Sequence, residues 1–402
     1  MVEPTVAEET LSYANPLDGV EPLYLFTAYP RVAHPLPLLI VMHGYSRGAD
    51  RRTVAGVVRR FARDHGVMAA SLDLRGRPGL GSGDGPSSAG RRDSGGREVS
   101  DIQAACKFLT THFGRRLDPE NIGILGYSGG GGNVFSCLVK CPDLFRSAFS
   151  FFGMSNYGYW FDHGAEGRHR AQLVEDVGGH PGEVPHRYAA RNSLLGVGNN
   201  SQTDIHLFWD SEEVVCPAYF NRAYAERARL LGQTNVTLHE SRPEDRRRWR
   251  HGYPDDNSDL VTVEPFIAEC LQQPHVPTVV LNPVGEMTVV GYLITRAFVI
   301  TLGDLTDSVA GLDYSVAGRA WRFTLVDQTS PPATRTALIL DRSHFNRPGG
   351  VPPAGEASQA PRVTVRRLDG GQEESWSHVR LADSRVLVEN VPLNSEVVVT
   401  PR

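Results

Sequence analysis

The chain reads as a doubly wound α/β domain with a mostly parallel sheet, followed by a small all-β, sandwich-like domain. Three observations predict this. From Leu36 to Gln272 short apolar runs alternate with amphipathic helical ones, the pattern of buried strands covered on both faces. Beyond Pro274 and Pro277 the helical period disappears, and Val/Thr/Tyr-rich stretches alternate apolar with polar residues. Between them stands one junction, GILGYSGGGGN (Gly123–Asn133), where an apolar strand ends in a glycine-rich corner around a single serine and resumes as a helix.

Taken in order, residues 1–35 hold two extended pieces, LSYANP and PLYLFTAYP, expected as an arm of edge strands joining the α/β domain. That domain spans 36–273. LPLLIVMHGY, VMAASLDL, NIGILGYS, RSAFSFFG and TDIHLFW read as strands. TVAGVVRRFARDHG, EVSDIQAACKFLTTHF, NVFSCLVKC and YFNRAYAERARLLG read as helices. A cap-like insertion is expected at about 154–200. The all-β domain is expected at 278–402, interrupted by a glycine- and proline-rich loop at Asn346–Pro361. Its aromatic residues Trp321, Phe323 and Trp376 form no evident platform. A covering of the active-site mouth, a dimer contact and a polymer-binding role stay open for this domain.

The bulk properties exclude some partners. A formal charge of −5 over 402 residues gives no global reason to bind nucleic acid or a membrane surface. The basic run RPEDRRRWRH (Arg242–His251) reads as a solvated loop. No segment approaches the roughly 20 apolar residues that span a bilayer. The first residues, MVEPTVAEET, lack the basic start and apolar stretch of a secretory signal. Five scattered cysteines, with Cys137 and Cys141 four apart on one helix, suit buried thiols. A cytoplasmic protein is the expectation.

The glycine-rich corner carries the chemistry. Gly126–Gly130 has the spacing G-x-S-x-G, in which a sharp strand-to-helix turn strains the serine backbone and exposes its Oγ. Ser128 is therefore the candidate nucleophile. The amide of Gly129, at the following helix start, points beside Oγ and is a candidate oxyanion donor. A dinucleotide site fails, because GLGSGDG (Gly79–Gly85) has neither the G-x-G-x-x-G spacing nor a helix to open. A serine of this kind needs a base, an orienting acid and a second oxyanion donor. LLIVMHGYS supplies the donor as the Tyr45 amide. His43 precedes the serine in the chain and reads as structural. DIHLFWDSEEVVCP offers Asp210, Glu212 and Glu213 as acids just past a strand. NVTLHESRPEDRRRWRHGYP offers His239, inside a strand pattern, and His251, on a polar loop and the better base.

With these residues in place, Leu36–Gln272 resembles the catalytic domain of the prolyl oligopeptidase family, within the α/β-hydrolase superfamily. VMHGY is similar to its oxyanion-loop strand, SLDLRGRPGLG to its Asp-x-Arg-Gly segment, ILGYSGGGG to its elbow and RHGY to its final H-G-F. GREVSDIQAACKFL is similar to the helix that follows, and VEDVGGHPGEVPHRYAARNSL to the G-G-x-P…Y…R-S-P stretch. HLFWDSEEVV is similar to H-G-x-x-D-x-x-V, with Phe208-Trp209 in place of the His-Gly pair. That register implies Glu212 as the acid, with Asp210 as the alternative and Glu213 as the remaining candidate.

The resemblance implies acyl transfer through an acyl-enzyme: His251 deprotonates Ser128, Tyr45 and Gly129 hold the oxyanion, and no metal or cofactor takes part. The substrate expected first is a carboxylic ester, small or polymer-derived. A dipeptidyl- or oligopeptidyl-type peptide comes second, and a catalytically silent binding protein third. In SFFGMSNYGYWFDHG, Tyr157, Tyr159, Trp160 and Phe161 are candidates for a substrate wall or equally for the core of the insertion. Arg75 and Arg77 read as loop-bracing salt bridges, with a substrate carboxylate as the alternative. A dimer through the β domain is a further possibility.

Overall fold

A computed structural model of the chain describes residues 5–46, 48–77, 87–164, 168–273, 281–317, 320–329, 336–341, 361–382 and 385–400. The Gly79–Gly85 segment, and Asn346–Pro361 except its last residue, lie outside the described residues.

The first domain is built on an eight-stranded sheet of β1 (Val6–Asn15), β2 (Val20–Pro30), β3 (Leu36–Met42), β4 (Met68–Leu72), β5 (Leu117–Tyr127), β6 (Ser147–Phe151), β7 (Asp204–Asp210) and β8 (Val236–Ser241). Its order is β1-β2-β4-β3-β5-β6-β7-β8. β1 and β2 are antiparallel additions at one edge, and β4 through β8 run parallel. The expected arm is thus part of the main sheet. The continuous apolar runs are explained by burial on both faces: β3, β4 and β6 carry no exposed residue.

Helices α1 (Ala55–His65), α2 (Glu98–Phe113), α3 (Gly129–Lys140), α4 (Tyr157–His163), α5 (Arg168–Val177), α6 (Pro185–Ala189), α7 (Tyr219–Leu230), α8 (Ser258–Val261) and α9 (Glu264–Gln272) complete the domain. One apolar cluster joins the sheet to α2, α3 and α7; the other joins it to α1, α9 and the insertion. The sheet is therefore doubly wound, as its sequence pattern requires.

The second domain is all antiparallel: β9 (Val284–Val290), β10 (Tyr292–Ile294), β11 (Phe298–Leu302), β12 (Val309–Ser315), β13 (Trp321–Asp327), β14 (Thr336–Asp341), β15 (Arg362–Arg367), β16 (Glu373–Ser375), β17 (Val379–Ala382), β18 (Arg385–Val388) and β19 (Ser395–Thr400). They form one ladder, β16-β15-β19-β13-β12-β9-β10-β11-β14-β18-β17. Phe298 on β11 meets Phe323 on β13 with ring centroids 5.1 Å apart, so the ladder folds over and encloses its own core. Trp321 and Phe323 are spent in that core.

The two domains are tied by polar contacts at the end of α3. Lys140, fully buried, donates to Ala190 O at 2.9 Å and to Val290 O, and lies over the Tyr292 ring. Asn199 donates to Val139 O (2.8 Å) and Thr288 O (2.7 Å) and accepts from the Thr288 amide (2.8 Å). Every polar atom of that amide side chain joins a helix end to β9. Removing it orphans buried backbone groups, so Asn199→Ala is expected to cost about 2 kcal/mol, measured by urea unfolding.

Candidate active site

Ser128 caps α3 with φ 56° and ψ −119°, a left-handed backbone that non-glycine residues rarely adopt. Its amide donates to Phe151 O at 2.8 Å and its carbonyl accepts from Gly132 at 3.0 Å, so the bend is pinned on both sides. The glycines around it are required by close approach. A Cβ on Gly126 would lie 2.2 Å from Gly130 O, and one on Gly130 would lie 2.4 Å from Met42 O. The elbow expected from the sequence is present.

The two expected oxyanion amides are brought together. A Cβ on Gly129 would lie 2.5 Å from the Tyr45 nitrogen, so the loop after β3 lies directly against the first turn of α3. As a first-turn residue, Gly129 has no intrahelical acceptor for its N–H. The loop is held from several directions. Tyr45 O accepts from Arg77 (3.1 Å), Arg92 (2.9 Å) and Gln172 (3.0 Å), and Tyr45 Oη donates to Asp176 at 2.7 Å. The Gly44 amide donates to Tyr253 Oη at 2.8 Å.

His251 meets a carboxylate and an aromatic ring. Its Nδ1 donates to Glu213 Oε2 at 3.1 Å, leaving Nε2 on the opposite edge of the ring. The ring packs on Phe152, centroids 5.2 Å apart, a residue held at φ 52° just after β6. Glu213, with a side chain only 2% exposed, also accepts from the amides of Val215 (2.7 Å) and Cys216 (3.0 Å). Burial pushes the Glu213 carboxyl up, and the His251 bond with those two amides outweighs it, leaving the group below the ordinary glutamate value. The Cys216 thiol, pushed well up by burial, lies beside the Ser128 side chain. Cys216 therefore links the serine to the loop that carries Glu213.

The carboxylate that meets His251 is Glu213, one residue beyond the one the register implied. Glu212 faces solvent, its side chain 64% exposed, and pairs with Arg248 at 2.8 Å. Asp210 is taken by Arg248 Nε (2.8 Å), the Ser241 hydroxyl (2.8 Å) and the Glu212 amide (3.0 Å). Neither of the two favoured carboxylates reaches His251. Reading H-G-x-x-D-x-x-V one residue later puts its acid on Glu213 and its last position on Cys216; that shift is the signal the sequence held. Phe152 was also missed, having no motif of its own, and Tyr253 was quoted within RHGY without a role.

The aromatic wall is corrected as well. Tyr157 and Trp160 are buried and pack in the core shared by the sheet and the insertion. Trp160 meets the Tyr45 ring edge-on at 5.1 Å and donates to Val215 O at 2.7 Å. They support the site's loops from behind. Tyr159 is half-buried and stacks on Tyr219, centroids 4.0 Å apart. Arg75 binds Asp101 and Asp18, while Arg77 binds the Tyr45 and Ser46 carbonyls and Glu98, so both brace loops. His239 Nε2 is 3.1 Å from His206 Nδ1, away from the serine.

The model of the prolyl oligopeptidase family matches residues 56–208. No curated protein matches the chain. Among solved structures, an acylaminoacyl peptidase of Pyrococcus horikoshii is similar over 68% of this chain and 43% of its own, at 16% identity and a TM-score of 0.53. A puromycin-hydrolyzing peptidase of Mycobacterium tuberculosis is similar over 74% of this chain and 41% of its own, at 16% identity and a TM-score of 0.54. This chain thus spans less than half the length of either. At such identity the likeness concerns the fold.

His43 gives the site a measurable acid sensitivity. Burial, with the Arg77 charge nearby, pushes its imidazole down to about 3 while Nδ1 donates to Gly44 O at 2.9 Å. The unfolded chain, with a histidine value near 6.5, binds this proton first. Stability is therefore expected to fall as pH drops from about 6.5 toward about 3, by up to roughly 1.4 kcal/mol per pH unit from this group. A His43→Asn variant should flatten that part of the slope in urea unfolding followed across pH.

Proposed function

We propose that this prolyl oligopeptidase-like α/β-hydrolase is a serine peptidase acting through Ser128, His251 and Glu213. The single observation that carries the reading is the Glu213–His251 hydrogen bond, formed from a loop that also touches the strained Ser128. His251 takes the Ser128 proton at Nε2 as Oγ attacks the substrate carbonyl, then returns it to the leaving amine. The Gly129 and Tyr45 amides receive the oxyanion, and water then releases the acyl group.

Peptide now stands ahead of ester, reversing the order the sequence alone suggested. The family match supports this, as do the peptidase descriptions of the similar structures. Exposed Val214 and Tyr219 flank the Glu213 loop and offer an apolar contact for a peptide side chain. Activated esters, chemically easier, should also turn over.

A fluorophosphonate probe is expected to label wild-type protein and not Ser128→Ala; failure to label the wild type would leave a binding protein on a hydrolase fold. With acylaminoacyl- and dipeptidyl-anilides, Glu213→Gln is expected to lower kcat on the order of 10²–10⁴-fold with KM little changed. Glu212→Gln should leave kcat within about twofold, because its exposed carboxylate pairs, among the described residues, with the Arg248 side chain alone. Equal losses in the two variants would return the acid to an open question.

A further inference from the structure

Next to Tyr45, whose carbonyl Arg92 holds, lies a cleft of about 180 Å³ between the two domains. One wall is the loop with Arg91, Arg92 and Arg97; another comes from the insertion, with Asp176, Arg187 and Arg191; the turn at Asp304–Asp307 closes the third. Five guanidiniums meet four carboxylates there, and three of those carboxylates are already engaged. Asp93 is held by Arg191. Asp176 accepts the Tyr45 hydroxyl and faces Arg92 at 3.4 Å. Asp307 accepts the Asp304 amide and the Ser308 hydroxyl, each at 3.3 Å.

Among the described residues, several of the cations hydrogen-bond to backbone carbonyls. Arg187 donates to Val177 O at 3.3 Å, Arg91 donates to Glu175 O, and Arg97 donates to Asp304 O at 2.7 Å with Asp93 no nearer than 4.0 Å. Carbonyls complete hydrogen bonds but do not cancel charge. Arg92, 9% exposed, has no hydrogen-bond partner for Nε or Nη1 among the described residues. Burial and the neighbouring Arg77 push its guanidinium below the usual arginine range, outweighing the opposing pull of Asp176 and Glu98.

We propose that this interdomain cleft binds a compact multivalent oxyanion, a phosphate or a small dicarboxylate, through Arg91, Arg92, Arg97 and Arg187. Charge-assisted bonds from forked guanidiniums suit such an anion. The volume admits a few heavy atoms and excludes a peptide. Arg92 also holds the Tyr45 carbonyl, so an anion on its free nitrogens bears on the loop that presents the oxyanion amide. This second step rests on the peptidase reading; the binding itself does not.

Calorimetric titration of Ser128→Ala protein with inorganic phosphate, and separately with malonate, at fixed low ionic strength tests the site. One equivalent of either anion is expected to bind, which identifies the class. Arg187→Ala and Arg91→Ala, both at the rim, should each weaken binding at least tenfold, whereas Arg229→Ala, remote on α7, should not. No heat from either anion, or equal weakening in all three variants, overturns the proposal. In wild-type protein the bound anion should change anilide kcat at least twofold with KM little altered, an effect lost in Arg187→Ala. An unchanged kcat with intact binding overturns the link to Tyr45 alone.

Discussion

The first turn of α3 lies so close to its neighbours' backbones that only glycine fits, and the rest of the site depends on that approach. Gly129 faces the Tyr45 nitrogen, Gly130 the Met42 carbonyl, and Gly131 the Cα of Gly153, where an added Cβ would come within 2.8 Å. A side chain at any of these would push the helix away from the sheet and separate the two amides. The same closeness forces Ser128 into its left-handed bend. Strain of this kind costs about 1–3 kcal/mol and persists because the cores on both faces of the sheet fix the strand and the helix independently of the corner.

Around this corner the buried charges serve placement more than stability. Arg77 and Glu98, both nearly unexposed, meet at 3.4 Å, and Asn133 donates to Glu98 at 3.2 Å from the second turn of α3. Buried pairs of this sort return little net stability after desolvation, but they penalise any arrangement that leaves one charge alone. The loop after β3 and the loop before α2 are thereby held in one relative position. His43 fits the same account: its ring is sealed under the loop and bonded to Gly44 O, as a spacer and not a base.

How much of this was legible follows from which forces act locally. The parallel strands were readable because burial on both faces demands unbroken apolar runs, as in LPLLIVM of β3. The elbow was readable because its steric demand falls on residues adjacent in sequence. The acid was not, since Asp210, Glu212 and Glu213 sit within four positions on one loop. What distributes them is Arg248, which engages the buried Asp210 and the exposed Glu212, and the Val215 and Cys216 amides, which hold the third. Such a choice is tertiary and leaves no periodicity. Tyr157 and Trp160 failed as a wall for a related reason: aromatic residues in a strand-to-helix excursion look alike whether they line a pocket or fill the core beneath it.

That core gives the insertion a role beyond covering the site. Gln172 and Asp176 of α5 hold the Tyr45 carbonyl and hydroxyl, and Trp160 of α4 backs its ring. The insertion in turn is bound to the second domain, through Arg191 on Thr306 O and through Lys140, which joins Ala190 O to Val290 O. A continuous set of contacts therefore runs from the β domain through the insertion to the oxyanion loop. Displacing the β domain would first take from Arg191 and Lys140 one acceptor each, Thr306 O and Val290 O, and only afterwards loosen α5. The oxyanion loop thus inherits its rigidity from two domains, and the geometry at Ser128 is a property of their docking as much as of the elbow itself.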